Sequence, residues 1–380
     1  MRLRHLQAVG CLTVCAVGAA CSSHAPRGLE FRLLDTLILG ESDTAYLGRL
    51  GPWPIVGHGG YYVQDELTDR VFHFSLNGTL DLSLGRHGRG PGEFDGVGPL
   101  ILPLDSLLIV QSTGGARLTV FDVRTRKALV SRTYAGDLMG GTTVGDTLLL
   151  GIFDPGSRQA VARLPIAQLL SSAIQDSFVR ASISRIAAEY EKYPNLATFG
   201  HVIPQRTDSG LLVGFGGTGY LVLERGTTTD TLLIPTIRRR GVSEAALKKF
   251  TPGRATMEEL SRAISTVLGI WRRPNGGFIV WYQDPTAKFT KGDLIELTGR
   301  AFLTALSPDL TRACVDGEPP APVGRPRLAL NGDTLISLDQ VVDTSNNPRA
   351  ITVIRRYLVR DEDCDWRPVR RVHGSDRLHD

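Results

Sequence analysis

The residues that could carry chemistry in this 380-residue chain are a few histidines, arginines and acids beside predicted tight turns. The basic members are His58, His201, Arg272, Arg273 and Arg327. His58 and His201 could bind a metal together, because neutral imidazole is a common metal ligand. The acids that could complete such a site, Asp65, Asp137 and Asp284, follow no repeating spacing. A histidine beside a turn is more often hydrogen-bonded within the fold, so we predict neither a metal site nor catalytic residues.

Common catalytic motifs do not occur in the sequence, which contains no nucleophile elbow, Walker loop or His-Glu-x-x-His. The segment Gly85–Phe94, GRHGRGPGEF, superficially resembles a phosphate-binding glycine loop. It lacks the Lys-Ser/Thr of a P-loop, however, and a strand follows it where a P-loop would have a helix. We therefore interpret it as a connector between structural repeats, and we expect no cofactor.

The elements that would position these residues are short apolar strands, each of which follows a turn rich in Asp, Asn or Gly. Such residues suit hairpin turns, which need positive φ or a side chain that bonds its own backbone. The strands are roughly 40 to 70 residues apart, against about 40–50 for one propeller repeat. Their first apolar residues are Tyr61, Leu107, Leu148, Leu211, Phe278 and Leu335. The pattern predicts an all-β chain that forms a six-bladed β-propeller over residues 30–367, with seven blades or an irregular sandwich as alternatives.

Two of the wider gaps contain sequence with helical periodicity. In the first, Ile183, Ile186 and Tyr190 recur at helical spacing. In the second, Thr256 and Glu259 can form a capping box before an apolar stripe, which comprises Leu260, Ile264 and Val267. We therefore predict helical insertions near 164–193 and 243–268.

The two ends of the predicted propeller differ in character. Phe31–Leu39, FRLLDTLIL, is strand-like and precedes the first blade. We predict that it supplies the outer strand of the last blade, which would close the ring and cover an exposed edge. Residues 368–380 are polar, and we predict that they form a tail that frays beyond the last strand.

The first 20 residues are predicted to be a signal peptide. Arg2 and Arg4 precede a short apolar run from Leu12 to Ala20, which is too short for a transmembrane helix. The sequence Val17–Cys21, VGAAC, resembles a bacterial lipobox, although Gly18 stands where leucine is usual. We predict lipidation of Cys21, with residues 21–29 as the lipidated cysteine and its tether. The alternative is ordinary cleavage near Ala20 without a lipid.

The remaining cysteines predict a disulfide. Cys11 and Cys15 leave with the signal peptide and Cys21 takes the lipid, which leaves Cys314 and Cys364. An even pair in an oxidising compartment favours a bridge between them. Closing a loop of about fifty residues would stabilise the fold by roughly 4 kcal/mol in the chain-entropy model.

The second blade carries a resemblance to a known family. Its connector Gly85–Phe94 is followed by Leu107–Val110 and Arg117–Asp122, and this combination resembles the NHL-repeat type of six-bladed β-propeller found in bacterial lipoproteins. One departure is Gln111–Gly115, where such repeats usually have an acidic residue and an Asn. Metal-dependent lactonases and amidating lyases also occur on six-bladed propellers, but the fold alone does not imply their activity.

Two functions follow as hypotheses. A net charge of +4 is not typical of a nucleic-acid-binding protein, so we expect no nucleic-acid partner. The favoured function is a membrane-tethered, extracytoplasmic binding or interaction propeller in the bacterial cell envelope, whose helical insertions decorate one rim, where we expect binding. We expect it to be monomeric, with an envelope protein or glycan as a possible partner.

The alternative is a metal-assisted hydrolase or lyase with its site at the central channel. Three or more His, Asp or Glu side chains converging in that channel would favour the enzyme, and a mixed lining of Arg, Gln and Thr would favour binding.

Overall fold

The chain folds into six antiparallel sheets that form the blades of a β-propeller, as the sequence predicts. This computed structural model describes residues 28–42, 46–52, 54–112, 117–134, 137–154, 159–171, 182–185, 202–235, 237–238, 264–290, 293–314, 317–320, 326–344 and 349–373.

The first three blades each contain four strands, which run in chain order from the central channel outward. Blade one comprises β2 (Ile55–Gly57), β3 (Gly60–Asp65), β4 (Arg70–Ser75) and β5 (Leu80–Leu84). Blade two comprises β6 (Val97–Leu104), β7 (Leu107–Ser112), β8 (Arg117–Asp122) and β9 (Lys127–Thr133). Blade three comprises β10 (Asp137–Val144), β11 (Thr147–Asp154), β12 (Gln159–Pro165) and β13 (Ser182–Arg185), with the short helix α1 (Ile166–Leu170) after β12.

The last three blades include strands from the two ends of the chain. Blade four comprises β14 (Val202–Arg206), β15 (Leu211–Phe215), β16 (Leu221–Arg225), β17 (Thr228–Leu233) and β26 (Arg370–His373). Blade five comprises β18 (Thr266–Arg272), β19 (Phe278–Thr290), β20 (Asp293–Leu306), β21 (Arg312–Cys314) and β25 (Trp366–Pro368). Blade six comprises β22 (Leu328–Asn331), β23 (Thr334–Asp343), β24 (Arg349–Arg360) and β1 (Glu30–Ile38).

The predicted turn-and-strand repeat corresponds to the second strand of every blade. The six predicted starting residues all lie in β3, β7, β11, β15, β19 and β23. These strands are apolar because sheets pack on both of their faces, and β3 and β15 are buried at every position. The turns before them adopt the positive φ that their residues tolerate, as at His58, Asp105, Gly145 and Gly332. We call the side of the ring with these turns the turn face, and the opposite side, where the chain passes between blades, the connector face.

The N-terminal strand closes the ring as predicted. β1 pairs antiparallel with β24, from Glu30 opposite Arg360 to Ile38 opposite Val353. It thereby becomes the outer strand of blade six, so the first and last parts of the propeller share one sheet. Arg356 of β24 binds the carboxylate of Asp35 on β1, which adds an ion pair to the ladder.

The prediction of a fraying tail from 368 is wrong for residues 368–373. β25 extends the sheet of blade five and β26 extends that of blade four, so residues 366–373 form a C-terminal belt along two outer edges. Nδ1 of His373 donates to Asp230, which also accepts from Arg225. Burial opposes ionisation of Asp230, but these hydrogen bonds outweigh it and lower the pKa of that carboxyl. Exposed strand edges are thus covered by the tail.

The predicted helical insertions are corrected only where the structure describes their residues. In the range 164–193 the structure has the five-residue helix α1 and then β13, so Ile183 lies in a strand, while 186–193 lie outside the described residues. In the range 243–268, Val267 lies in β18, and 243–263 are outside the described residues. Among the described residues, no helix combines the length and apolar character needed to cross a membrane.

Candidate functional site

The innermost strands of all six blades surround a central channel with a volume of about 380 Å³. The lining comes from β2, β6, β10, β14, β18 and β22, together with Pro54, which precedes β2, and Trp281 of β19. The channel is therefore the place where every blade can contribute to one site.

No charged side chain lines this channel within the described part of the chain. Its polar side chains are Thr142 and Thr143 of blade three, Gln205 of blade four and Asn331 of blade six. Blades one and two contribute apolar residues, of which Ile55, Val56 and Pro103 are half-buried, whereas Ile101 and Leu102 are buried in the cores on either side of blade two. Apolar residues of blades four, five and six, such as Ile203, Leu268 and Leu330, line the channel as well, so the described lining is neutral and mixes apolar with polar groups.

Prolines mark the inner edge of the ring. Pro54, Pro103 and Pro204 all line the channel, and the last two lie inside β6 and β14. A proline costs no ladder hydrogen bond where its nitrogen faces away from the neighbouring strand. Pro103 and Pro204 therefore remove two N–H donors from the channel wall and leave backbone carbonyls as acceptors.

Blade five contributes the aromatic part of the lining. Trp271 is half-buried in β18 and stacks on the buried Trp281, with ring centroids 5.8 Å apart and planes 13° apart. Gly269 lies against the indole of Trp271, where a Cβ would come within 2.9 Å of the ring. A larger residue at 269 would displace the tryptophan, so this glycine helps to fix the ring position.

His58 is placed in the turn between β2 and β3. Its Nδ1 lies 2.6 Å from the hydroxyl of Tyr62. Burial lowers the pKa of His58, so its neutral form is favoured, and burial raises the pKa of Tyr62. His201 lies outside the described residues. His58 is thus held by a neighbour within its own blade.

The three predicted arginines lie apart and have different partners. Arg272 is exposed and binds Asp208 in the turn of blade four. Arg273 is buried and binds Asp333 and Asp361 on the turn face of blade six. Arg327 donates to the backbone oxygen of Gly51, so it joins blades six and one. Each arginine therefore joins neighbouring blades, and none of them lines the channel.

Two of the three predicted acids accept hydrogen bonds from the segments that lead into their own blades. Asp65 is fully buried and accepts hydrogen bonds from the backbone N–H of Arg49 and from Thr68. Asp284 accepts from Ser265, which precedes β18. Asp137 begins β10, and its side chain lies outside the described residues. Among the described residues no group of three or more His, Cys, Asp or Glu could hold a metal ion.

A recurring glutamine was missed by the sequence-based prediction. Gln64 of β3 donates to the backbone oxygen of Gly98 in blade two, and Gln111 of β7 donates to that of Leu138 in blade three. Gln340 of β23 donates to Leu47, which precedes blade one. These amides lie near the connector-face end of second strands and bind the next blade around the ring. The repeated sequence signal was Gln-Asp at 64–65 and 283–284 and Gln-Ser at 111–112.

Replacing Gln64 by Ala should lower the free energy of unfolding by about 2 kcal/mol, because it leaves the carbonyl of Gly98 buried without its donor. The effect is measured by urea unfolding. Gln340→Ala is the matched control, since its amide is only partly buried and its loss should cost less. Equal losses in the two variants would contradict this role of burial.

The glycine-rich segment is a connector between blades one and two, as predicted. The carboxylate of Glu93 occupies its interior and accepts from the N–H of Gly90 at 2.7 Å and from Arg86 at 2.8 Å. The hydrogen bond from Gly90, followed by that from Arg86, lowers the pKa of Glu93. The position that a phosphate would take in a P-loop is therefore filled by this side chain.

The predicted disulfide between Cys314 and Cys364 is present, with Cα atoms 5.8 Å apart. It joins β21 to the segment before the C-terminal belt. Cys21, the predicted lipidation site, lies outside the described residues.

Comparisons with known proteins show the fold. No protein-family model matches the chain, and no curated protein matches it. A member of the DUF4221 family from Bacteroides vulgatus has a TM-score of 0.57 and 10% identity, over 88% of this chain and 99% of its own. A candidate exported protein from Bacteroides fragilis has a TM-score of 0.53 and 10% identity, over 86% of this chain and 95% of its own.

Proposed function

We propose that this protein is a lipid-anchored, extracytoplasmic binding propeller whose ligand occupies the central channel. The observation that carries this proposal is the neutral channel lining, with Thr142, Thr143, Gln205 and Asn331 as its polar side chains. A concave site with apolar walls and a few convergent polar groups is typical of ligand pockets. Its volume of about 380 Å³ suits a small ligand.

The alternative, a metal-assisted hydrolase or lyase, has less support in the channel. Catalytic metals need imidazole, carboxylate or thiolate ligands, and general acid–base catalysis needs a titratable side chain. The described channel lining supplies Thr, Gln and Asn side chains instead. These groups can orient a ligand by hydrogen bonds, so the channel favours binding over catalysis.

Export and anchoring are proposed from the leader. Arg2, Arg4 and the apolar run before Cys21 have the composition of a secretory signal. A disulfide between Cys314 and Cys364 suits an oxidising compartment. A structural neighbour bears the name of an exported protein, which is in keeping with this location.

We also propose that the propeller is of the NHL-repeat type. Support comes from the connector motif, in which Gly85 has a φ of +79° and packs against the ring of Phe94. A Cβ at position 85 would lie 2.0 Å from that ring, so the motif requires glycine there. Glu93 holds the same loop from inside.

The proposed ligand site is tested by isolating the protein from its own cell envelope. Native mass spectrometry should detect a small molecule bound to the parent protein. A Thr142→Trp variant should lose that molecule, because the indole fills the channel, and should keep its circular dichroism spectrum. Tyr46→Ala is the control, since Tyr46 is half exposed and outside the channel. Retention of the molecule by Thr142→Trp would place binding elsewhere and contradict the proposal.

Lipid anchoring makes a separate prediction. The parent protein should partition into the detergent phase, because more than one acyl chain gives stable membrane attachment. Cys21→Ser should move the protein to the aqueous phase of the same extraction. A Cys15→Ser variant, changed within the predicted leader, should behave like the parent. Identical partitioning of the Cys21→Ser and parent proteins would contradict lipidation.

A further inference from the structure

We infer that the channel ligand is an uncharged saccharide of one or two rings. This inference rests on the proposed function, since it takes the channel as the ligand site. It adds the chemical class of the ligand, which follows from the charge, the mixed apolar and polar wall, the hydrogen-bonding groups and the size of the channel.

The absence of charged side chains in the described lining selects against charged ligands. An ion that leaves water needs a partner of opposite charge or a dense set of hydrogen bonds. The described lining offers neither an acidic nor a basic side chain. A neutral ligand therefore enters at lower cost than its acidic or basic analogue.

The mixture of apolar and polar groups in the lining matches the two kinds of surface on a sugar ring. Pro103 of blade two lies across the ring from Trp271 of blade five, and both side chains are half-buried, so these blades offer apolar and aromatic contacts. A pyranose presents C–H groups on its faces, and these pack on apolar and aromatic side chains. Its hydroxyls project from the ring edge, where side chains such as Thr142 and Gln205 can form hydrogen bonds with them.

The hydrogen-bonding groups of the wall favour a ligand with several donors. Pro103 and Pro204 carry carbonyls but no N–H, so at these positions the inner strands have acceptors without donors. Threonine hydroxyls and the amides of Gln205 and Asn331 can both donate and accept. A hydroxyl-bearing ligand satisfies this mixture, because each hydroxyl donates once and accepts as well.

The size of the channel limits the ligand. Small-molecule pockets span about 300–1,000 Å³, and the channel, at about 380 Å³, lies near the lower end of that range. It therefore suits one or two sugar rings, whereas a long glycan would have to extend beyond the channel.

The test is isothermal titration of the full chain carrying Cys21→Ser with pairs of matched sugars. Glucose, N-acetylglucosamine and their disaccharides are the neutral probes, and glucuronate and glucosamine are the charged ones. We expect at least one neutral sugar to bind at least about tenfold more tightly than its charged analogue. Trp271→Ala and Gln205→Ala should each weaken that binding by about tenfold, whereas Tyr46→Ala should leave it unchanged.

Three results would overturn the inference: no neutral sugar binds at millimolar concentration, charged and neutral sugars bind equally, or the channel variants bind like the parent. The proposed function fails by a different result, namely retention of the bound molecule by Thr142→Trp in native mass spectrometry. If native mass spectrometry finds a non-saccharide ligand that Thr142→Trp excludes, the channel remains the ligand site and only the saccharide class is wrong.

Discussion

Arg273→Ala should lower the free energy of unfolding by about 3 kcal/mol. Breaking a buried ion pair by removing one partner costs roughly 3–5 kcal/mol, because the remaining charge is left uncompensated. The lower end applies here, since the side chain of Asp333 is 38% exposed and can be hydrated after the arginine is removed. Urea unfolding followed by circular dichroism measures the change.

The physical basis of this prediction is the position of Arg273 between blades five and six. Its Nε lies 2.6 Å from Asp333 and its Nη1 lies 2.5 Å from Asp361. Burial opposes the charge, but the hydrogen bonds to Asp361 and Asp333 outweigh it and raise the pKa of the guanidinium. Arg273 therefore binds both Asp333, in the turn before β23, and Asp361, which directly follows β24.

The neighbouring arginine is the matched control for this variant. Arg272 binds Asp208, but the side chain of that acid is 79% exposed. Exposed ion pairs contribute about 0–1 kcal/mol, so Arg272→Ala should have little effect. If Arg272→Ala destabilises the protein as much as Arg273→Ala, burial of the guanidinium is not the cause.

The second strands could be predicted because turn chemistry and burial act together on them. A residue that tolerates positive φ, such as Asp105 or Gly145, must occupy a tight turn, and the strand after it is buried on both faces. The innermost strands lack this signal. β2 has only three residues, all of them partly buried, and so short a sequence does not predict a strand by itself.

The channel lining was therefore missed, although a weaker signal exists. Pro54, Pro103 and Pro204 each precede a turn by a few residues, and a proline inside a strand indicates an edge strand. A ring of blades has its inner edges at the channel. The spacing of these prolines could thus have located the site, but it could not have shown that the lining is neutral, which depends on all six blades.

The errors in the helical segment and the tail have one physical cause. Ile183 fits a helical or a strand pattern over so short a run, and the free edge of β12 decides in favour of β13. Likewise, Val372 belongs to a polar tail in the sequence, but the edge of β17 offers unpaired backbone groups to it. Local composition does not reveal such long-range pairing.

Reduction of the Cys314–Cys364 disulfide should destabilise the protein by about 4 kcal/mol and lower its melting temperature by several degrees. The two cysteines are 50 residues apart, and cross-linking a loop of that length removes entropy from the unfolded chain. Non-reducing mass mapping of freshly isolated protein should find the two peptides linked. Free thiols at both positions would contradict the bridge in the mature protein.

The position of the bridge also predicts where unfolding begins after reduction. Cys314 is fully buried in the core between blades five and six, and Cys364 precedes the C-terminal belt by two residues. Without the bridge, the belt is held by short ladders and by Asp230, so the amides of β25 and β26 should exchange with solvent first. A Cys314→Ala/Cys364→Ala double variant is the control, because added reductant should not change its exchange. If exchange in the reduced parent rises equally in β3 of blade one, the bridge stabilises the whole ring and does not act through the belt.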